Sequence, residues 1–221
     1  MRFQKTLGCA LTAPERGDRV GLKTRRGAVI ARRARGEMDL IEGLTGRRSV
    51  YEFTEQAPDL DVVRQALDAA VCAPNHRKTR PWRFFVFTGD GRAGLAEAYG
   101  VAAARLGRPV DLARRKAFTS PVLVLAGVRP MLAHPKVVHE EEVLAVGVAI
   151  QNVMLALHAR GVGSKWTSGE LVDSDEVKAL VGMTEPNDHI VGGIYIGYPN
   201  GDKAIRDREP ATHESVTTWF S

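Results

Sequence analysis

Two hydrophobic rhythms alternate along the chain from residue 38 onward, one with helical spacing and one made of short apolar runs. Leu40, Ile41 and Leu44 before Gly46 predict a short amphipathic helix ended by glycine. Pro58-Asp59 opens a second helix with an acidic first turn, and Val62, Val63, Ala66, Leu67 and Ala70 form its buried stripe. Phe84–Phe87 is aromatic and β-branched, which reads as a strand entering a core. Gly89-Asp90-Gly91 marks a turn, and an alanine-rich helix follows over 92–105. After Gly107-Arg108-Pro109 comes a second short helix bearing Arg114-Arg115-Lys116, then a strongly apolar strand over Ser120–Leu125.

The longest apolar stretch lies in Val143–Arg160, where Val143, Leu144, Val146, Val148, Ile150, Val153, Met154, Leu155 and Leu157 leave almost no polar face. Such a helix belongs in a core or a subunit interface, and Gly147 and Ala149 would permit close helix approach. Glu140-Glu141-Glu142 sits at its N-terminal end, where the helix dipole favours negative charge. Gly161-Val162-Gly163 ends it. Lys165-Trp166-Thr167-Ser168-Gly169 reads as a polar, aromatic loop, and Ser174–Val181 as a short helix closed by Gly182. The run His189–Pro199 predicts a strand whose glycines mark something packed against its backbone. The tail carries Lys203, Arg206 and Arg208, and its terminal Trp219-Phe220 is expected to dock on a partner surface.

One connection stands out. Pro74 and Pro81 bracket Asn75-His76-Arg77-Lys78-Thr79-Arg80, and each proline pushes the residue before it out of the α region. A loop holding a histidine, two arginines and a lysine at the mouth of a buried strand could receive an anionic cofactor; it could equally be an ordinary helix-to-strand connection with solvated charges.

With 221 residues, 44% of them hydrophobic, the chain can bury a core in one domain. Cys9 and Cys72 make neither a disulfide framework nor a metal-ligand spacing, so a reducing, cytoplasmic setting is expected. The run Val143–Leu157 is short for a bilayer and contains Gln151 and Asn152. Residues 1–37 hold ten Arg and Lys against three Asp and Glu, a surplus of seven; the whole chain is +5, so residues 38–221 sum to −2. The basic character therefore belongs to an N-terminal extension expected to be disordered, or preceding a true start at Met38, and nucleic-acid binding is not expected of the domain over 38–221. No P-loop, GxGxxG after a strand, HExxH or GxSxG occurs, and His134 and His139 lack a recognised metal spacing.

Four stretches, in this order, resemble the FMN-dependent nitroreductase family in its short, minimal-length branch. They are Arg47-Arg48-Ser49, then Ala73-Pro74-Asn75-His76 with Pro81-Trp82-Arg83-Phe84, then Trp166-Thr167-Ser168-Gly169, and finally Ile190–Pro199. The resemblance covers residues 38–221. It implies an α+β fold with a central, mostly antiparallel sheet flanked by helices, an intertwined homodimer, and FMN shared at the interface. On that analogy Arg47 and Arg48 grip the phosphate and Ser49 holds the ribityl-phosphate end. His76 and the Cys72 position approach from the opposite subunit, Trp166, Thr167 and Ser168 line the other side of the flavin, and Arg206 or Arg208 closes on the phosphate. Arg115 is a candidate by placement for the cation near the flavin.

The resemblance further implies NADH or NADPH as reductant and nitroaromatics, quinones or related electrophiles as acceptors, in ping-pong turnover without a dedicated catalytic side chain. The alternatives within reach are a flavin-binding protein without turnover, or specialised chemistry such as flavin fragmentation or reductive dehalogenation. Two positions depart from the branch. Cys72 and Thr167 stand where basic residues are common, and Cys72 is expected to be a buried structural thiol.

Overall fold

The computed structural model describes residues 38–201, 204–209 and 211–220. The basic extension expected over 1–37 and the tail's Lys203 lie outside the described residues.

A four-stranded antiparallel sheet organises the described residues. Its strands are β1 (Trp82–Thr88), β2 (Val122–Val128), β3 (Gly163–Thr167) and β4 (His189–Gly197), in the spatial order β1-β2-β4-β3. Every residue of β2 is buried, which explains its unbroken apolar run: a central strand with both faces covered has no polar side to alternate with. The outer edges are β1 and β3.

Among the described residues six α-helices flank the sheet: α1 (Leu40–Gly46), α2 (Leu60–Ala70), α3 (Gly91–Arg105), α4 (Val110–Lys116), α5 (His139–Ala159) and α6 (Asp175–Leu180). On one face, α2 and α5 bury Val63, Ala66, Val146, Ile150, Val153 and Leu157 against Val124, Ile194 and Ile196. On the other, Leu95, Tyr99, Ala103, Ala113 and Val177 pack on Leu123, Leu125 and Tyr195. The α+β fold with an antiparallel sheet between helical layers is thus the one the sequence implies. Helix starts follow the expected chemistry: Asp59 caps α2 by accepting from Asp61 N, and Ser174 caps α6 by accepting from Val177 N. By length and composition α5 could cross a membrane, but its buried residues form this domain's own core.

Where apolar patterning misleads, the reason is tertiary. Leu40 and Ile41 are exposed on α1, and the residue it buries is Gly43. Ala149 is fully buried within the protomer, whereas a Cβ built on Gly147 would meet nothing within 4 Å.

Away from the sheet, α3 and α6 are joined by a two-point ion pair. Arg105 Nε and Nη2 donate to the two carboxylate oxygens of Glu176 at 2.8 and 3.0 Å. The hydrogen bond from Arg105 lowers the Glu176 pKa from 4.5 to about 2. A depressed carboxylate stabilises the fold above its unfolded pKa and loses that contribution as pH falls through the folded value. The stability gap between the parent and Glu176→Gln should therefore be constant above about pH 5 and close toward about pH 2, as read by thermal melts across that range. A gap independent of pH would contradict the pairing.

Candidate active site

Three segments distant in sequence meet at the β3 edge. Beyond α1 the chain turns outward at Arg47, Ser49 bridges Ser164, and Val50 N donates to Ser164 O at 3.1 Å. On its other side Tyr51 N donates to Ala204 O at 2.7 Å, and Arg208 Nη2 donates to Arg47 O at 3.0 Å. This threading gathers Arg47, Arg48, Ser49, Arg206 and Arg208, and adds Lys165 of β3. Arg48 Nη1 folds back on Thr45 O (2.7 Å) and Arg47 O (3.0 Å), satisfying carbonyls at the end of α1. Arg206 and Lys165 both lie over the Tyr51 ring, at 4.1 and 4.3 Å from its centroid.

So many cations in one place repel one another. Arg47 has its pKa pushed down by burial first, then by Arg208 and Arg48. Lys165 is pushed down by burial, then by Arg206 and Lys116. Lys116, at the end of α4, acts on this cluster through Lys165, and it and its neighbour Arg115 are both exposed. The Nε and Nη1 atoms of Arg47 are buried with no hydrogen-bond partner among the described residues. Buried donors without acceptors are costly, and a guanidinium is shaped for phosphate oxygens. The residues present therefore fit a bound phosphate monoester. Sequence reasoning passed over Lys165 and Tyr51; their signal was adjacency, one residue before Trp166 and two after Ser49.

The stretch expected to be a loop at 165–167 is instead the end of β3. Lys165, Trp166 and Thr167 pair with Tyr195, Ile194 and Gly193 of β4, and of the expected loop over 165–169 Ser168 and Gly169, both exposed, lie beyond the strand. A polar, aromatic strand is possible there because β3 is an edge with one side free. The anticipated packing on the β4 glycines is present. A Cβ on Gly192 would sit 2.1 Å from Trp166 Nε1 and 2.5 Å from Thr167 O, so the indole lies directly on that backbone. Thr167 Oγ1 donates to Gly193 O at 3.4 Å.

His76 and Cys72 occupy a different place. His76 lies in a 3-10 turn (His76–Lys78) between α2 and β1, with Nδ1 2.7 Å from Glu141 Oε2 at the start of α5. Thr79 Oγ1 donates to Glu142 Oε1 at 2.6 Å, and the Glu142 side chain is buried. The acidic triplet, read as dipole compensation, thus also anchors this loop. Cys72 is exposed, its Sγ 3.4 Å from Asp68 O, which corrects the expectation of a buried thiol: it lies just past α2, on the side turned away from the core.

The two groups of candidate residues are not brought together within one chain. His76 neighbours β1 and Trp166 lies on β3, three strand spacings or about 14 Å apart. Along α5 the separation is larger. His76 contacts Glu141 near its start, while Gly46 lies beside His158 near its end, about 25 Å away at 1.5 Å per residue. Between those ends α5 bears Leu144, 69% exposed, Val148, 41% exposed, the open Gly147 and the half-buried Leu155. Trp219 and Phe220 are likewise almost fully exposed and do not dock on their own protomer.

Comparison with known proteins agrees with this architecture. Residues 44–198 match the Nitroreductase family. YdjA of Escherichia coli strain K12, provisionally named an NAD(P)H nitroreductase, is 34% identical over 165 residues, covering 73% of this chain and 89% of its own. A nitroreductase-like family protein from Bacillus cereus superposes with a TM-score of 0.72 at 23% identity, covering 85% of this chain and 99% of its own. The FMN-dependent nitroreductase NfnB of Mycobacterium smegmatis, solved with NADPH, gives a TM-score of 0.64 at 22% identity over 82% and 97% of the two chains. The fold and the shared sequence define an oxidoreductase. The chain belongs to the nitroreductase family. Arg206 and Arg208 lie beyond the matched segment, so their place in the site rests on the geometry above.

Proposed function

We propose that this protein is an FMN-dependent oxidoreductase that takes a hydride from NADH or NADPH and passes the electrons to nitroaromatics, quinones or related electrophiles. The observation that carries the reading is Arg47, whose buried, unpartnered Nε and Nη1 stand among further cations as a phosphate site would require. Arg47, Ser49, Arg206 and Arg208 would hold the cofactor phosphate, with Arg48 bracing the Arg47 backbone. Trp166, fixed on Gly192, with Thr167 and Ser168 would line the ring. FMN, when bound, supplies the hydride acceptance and release. The side chains bind, orient and exclude water, and no acid–base pair is needed. Thr167 at a position where a cation is common leaves Lys165, one residue away, as the positive charge on this strand.

His76 and Cys72 reach the same cofactor only from a second copy. The exposed stripe on α5 is centred midway between its Glu141 and His158 ends. An isologous pairing of two α5 helices, antiparallel through Leu144, Gly147, Val148 and Leu155, sets the His76 end of one protomer against the Arg47 end of the other. A homodimer with two shared sites is the arrangement this supports, and Trp219-Phe220 would cover a surface of the second protomer. Free Cys72 suits a reducing, cytoplasmic setting.

The test is direct. Purified protein should be a dimer by light scattering, carry or take up FMN with flavin absorbance, and bleach under anaerobic NADH or NADPH. An acceptor panel then restores the absorbance. Protein that binds FMN but does not bleach with either nucleotide would instead be a flavin carrier, and protein that takes up no FMN would sink the proposal.

A further inference from the structure

The loop between Pro74 and Pro81 holds a conformation its residues resist. Arg77, Lys78 and Arg80 have φ of 60°, 55° and 54°, in the left-handed region where Cβ crowds the backbone. They are the only non-glycine residues with positive φ among the described residues. Glycine would adopt the same backbone without that crowding, and among the described residues Gly89, Gly107, Gly161, Gly182 and Gly201 have φ between 47° and 76°.

The restraint comes from a buried network. Glu142, 1% exposed, accepts from Thr79 Oγ1 at 2.6 Å and from Met131 N at 3.4 Å. Asn75 Nδ2 donates to Thr79 Oγ1 at 2.6 Å and to His76 O at 3.0 Å, and His76 is held by Glu141. Thr79, the anchored residue, keeps an ordinary φ of −65°. The three residues around it bear the strain, and their long cationic side chains are exposed. None contributes to either hydrophobic core. Strain maintained by a satisfied buried carboxylate, on residues with no packing role, points to a task for the charges.

We propose that Arg77, Lys78 and Arg80 form a cationic arch that binds the diphosphate of the nicotinamide dinucleotide while its ring lies against the flavin. This rests on the reading that His76, adjacent to the arch, faces the partner's flavin. A diphosphate brings two negative charges to three cations within four residues, whereas a monocarboxylate acceptor would match only one of them.

The test variant is Arg77→Gly/Lys78→Gly/Arg80→Gly in FMN-loaded protein, because glycine retains the backbone while removing the charges. Calorimetric titration of the oxidised protein with NAD+ and with NADP+ should show, for whichever the parent binds more tightly, affinity reduced about tenfold or more, and the parent's affinity should fall with added salt much more steeply than the variant's. The KM for the corresponding reduced nucleotide, NADH or NADPH, should rise by a similar factor, while kcat/KM for 1-benzyl-1,4-dihydronicotinamide, a hydride donor without phosphates, stays within about twofold. The melting temperature should hold or rise as the strain is relieved. Unchanged affinity and KM for the preferred nucleotide, or equal losses with that nucleotide and the phosphate-free donor, would overturn the arch. Flavin absorbance of the parent, recorded before any dinucleotide is added, separates the two ideas: a parent that cannot take up FMN overturns the flavin reading and the arch with it, whereas an FMN-loaded parent whose dinucleotide affinity ignores these charges overturns the arch alone.

Discussion

Replacing Arg47 with Met is expected to raise the melting temperature of the FMN-free protein and to weaken FMN binding about a hundredfold, roughly 2.7 kcal/mol. Both effects come from one geometry. The Nε and Nη1 of Arg47 are buried without acceptors among the described residues, and burial together with Arg208 and Arg48 disfavours its charge. Arg47 is half-buried, and burying two guanidinium nitrogens without hydrogen bonds costs the fold, so a nearly isosteric apolar side chain relieves that cost. With the phosphate in place the same atoms make charge-assisted hydrogen bonds, each worth about 1.5–3 kcal/mol. Calorimetric melting of the FMN-free variant and quenching of FMN fluorescence on titration measure the two sides. Arg47→Lys, which keeps the charge but loses the planar fork, should recover only part of the affinity. A lower melting temperature for Arg47→Met, or an FMN affinity within about threefold of the parent, would contradict the assignment.

The second large effect is structural. Gly192→Ala should destabilise the protein by about 3 kcal/mol, seen as a lowered denaturation midpoint without a changed slope. The added methyl would meet Trp166 Nε1 at 2.1 Å and Thr167 O at 2.5 Å. An indole can swing away, but Thr167 O belongs to the strand paired with Gly193, so relief requires β3 to lift from β4. That movement displaces Lys165, Trp166 and Ser164 together, and FMN affinity should fall along with stability. If Gly192→Ala unfolds at the parent's midpoint and Trp166 fluorescence is unaltered, the close approach is not a constraint in solution.

These effects show what was readable in one dimension. The aromatic, β-branched run at 84–87, the apolar run at 122–125 and the helix over 143–160 all form the predicted elements, because burial on both faces or along one stripe imprints its period on the residues. The glycines of 192–197 announced close packing without naming what packs. Residues 165–167 misled because an edge strand needs no apolar alternation: its partner, β4, supplies the pairing, and nothing in the local residues signals that. Cys72 misled because a single thiol carries no periodicity from which its side of the chain could be read.

The sequence by itself determined most of the elements and their order, β3 excepted, and through its resemblance to a family it implied the fold class and which residues to examine. The same resemblance nominated Arg47, Arg48 and Ser49 as phosphate ligands, a role that guanidinium and hydroxyl chemistry suits. Only the tertiary structure decided their company. Arg208 reaches Arg47 across 161 residues of chain, and Lys165 and Arg206 meet over Tyr51, because backbone pairing at one sheet edge joins segments that share no local pattern. It also decided that His76 stands about 25 Å along α5 from that cluster. Local propensity sets which elements form, whereas the distance between two side chains depends on how a rigid helix and a sheet are laid together, and that is a property of the packed whole.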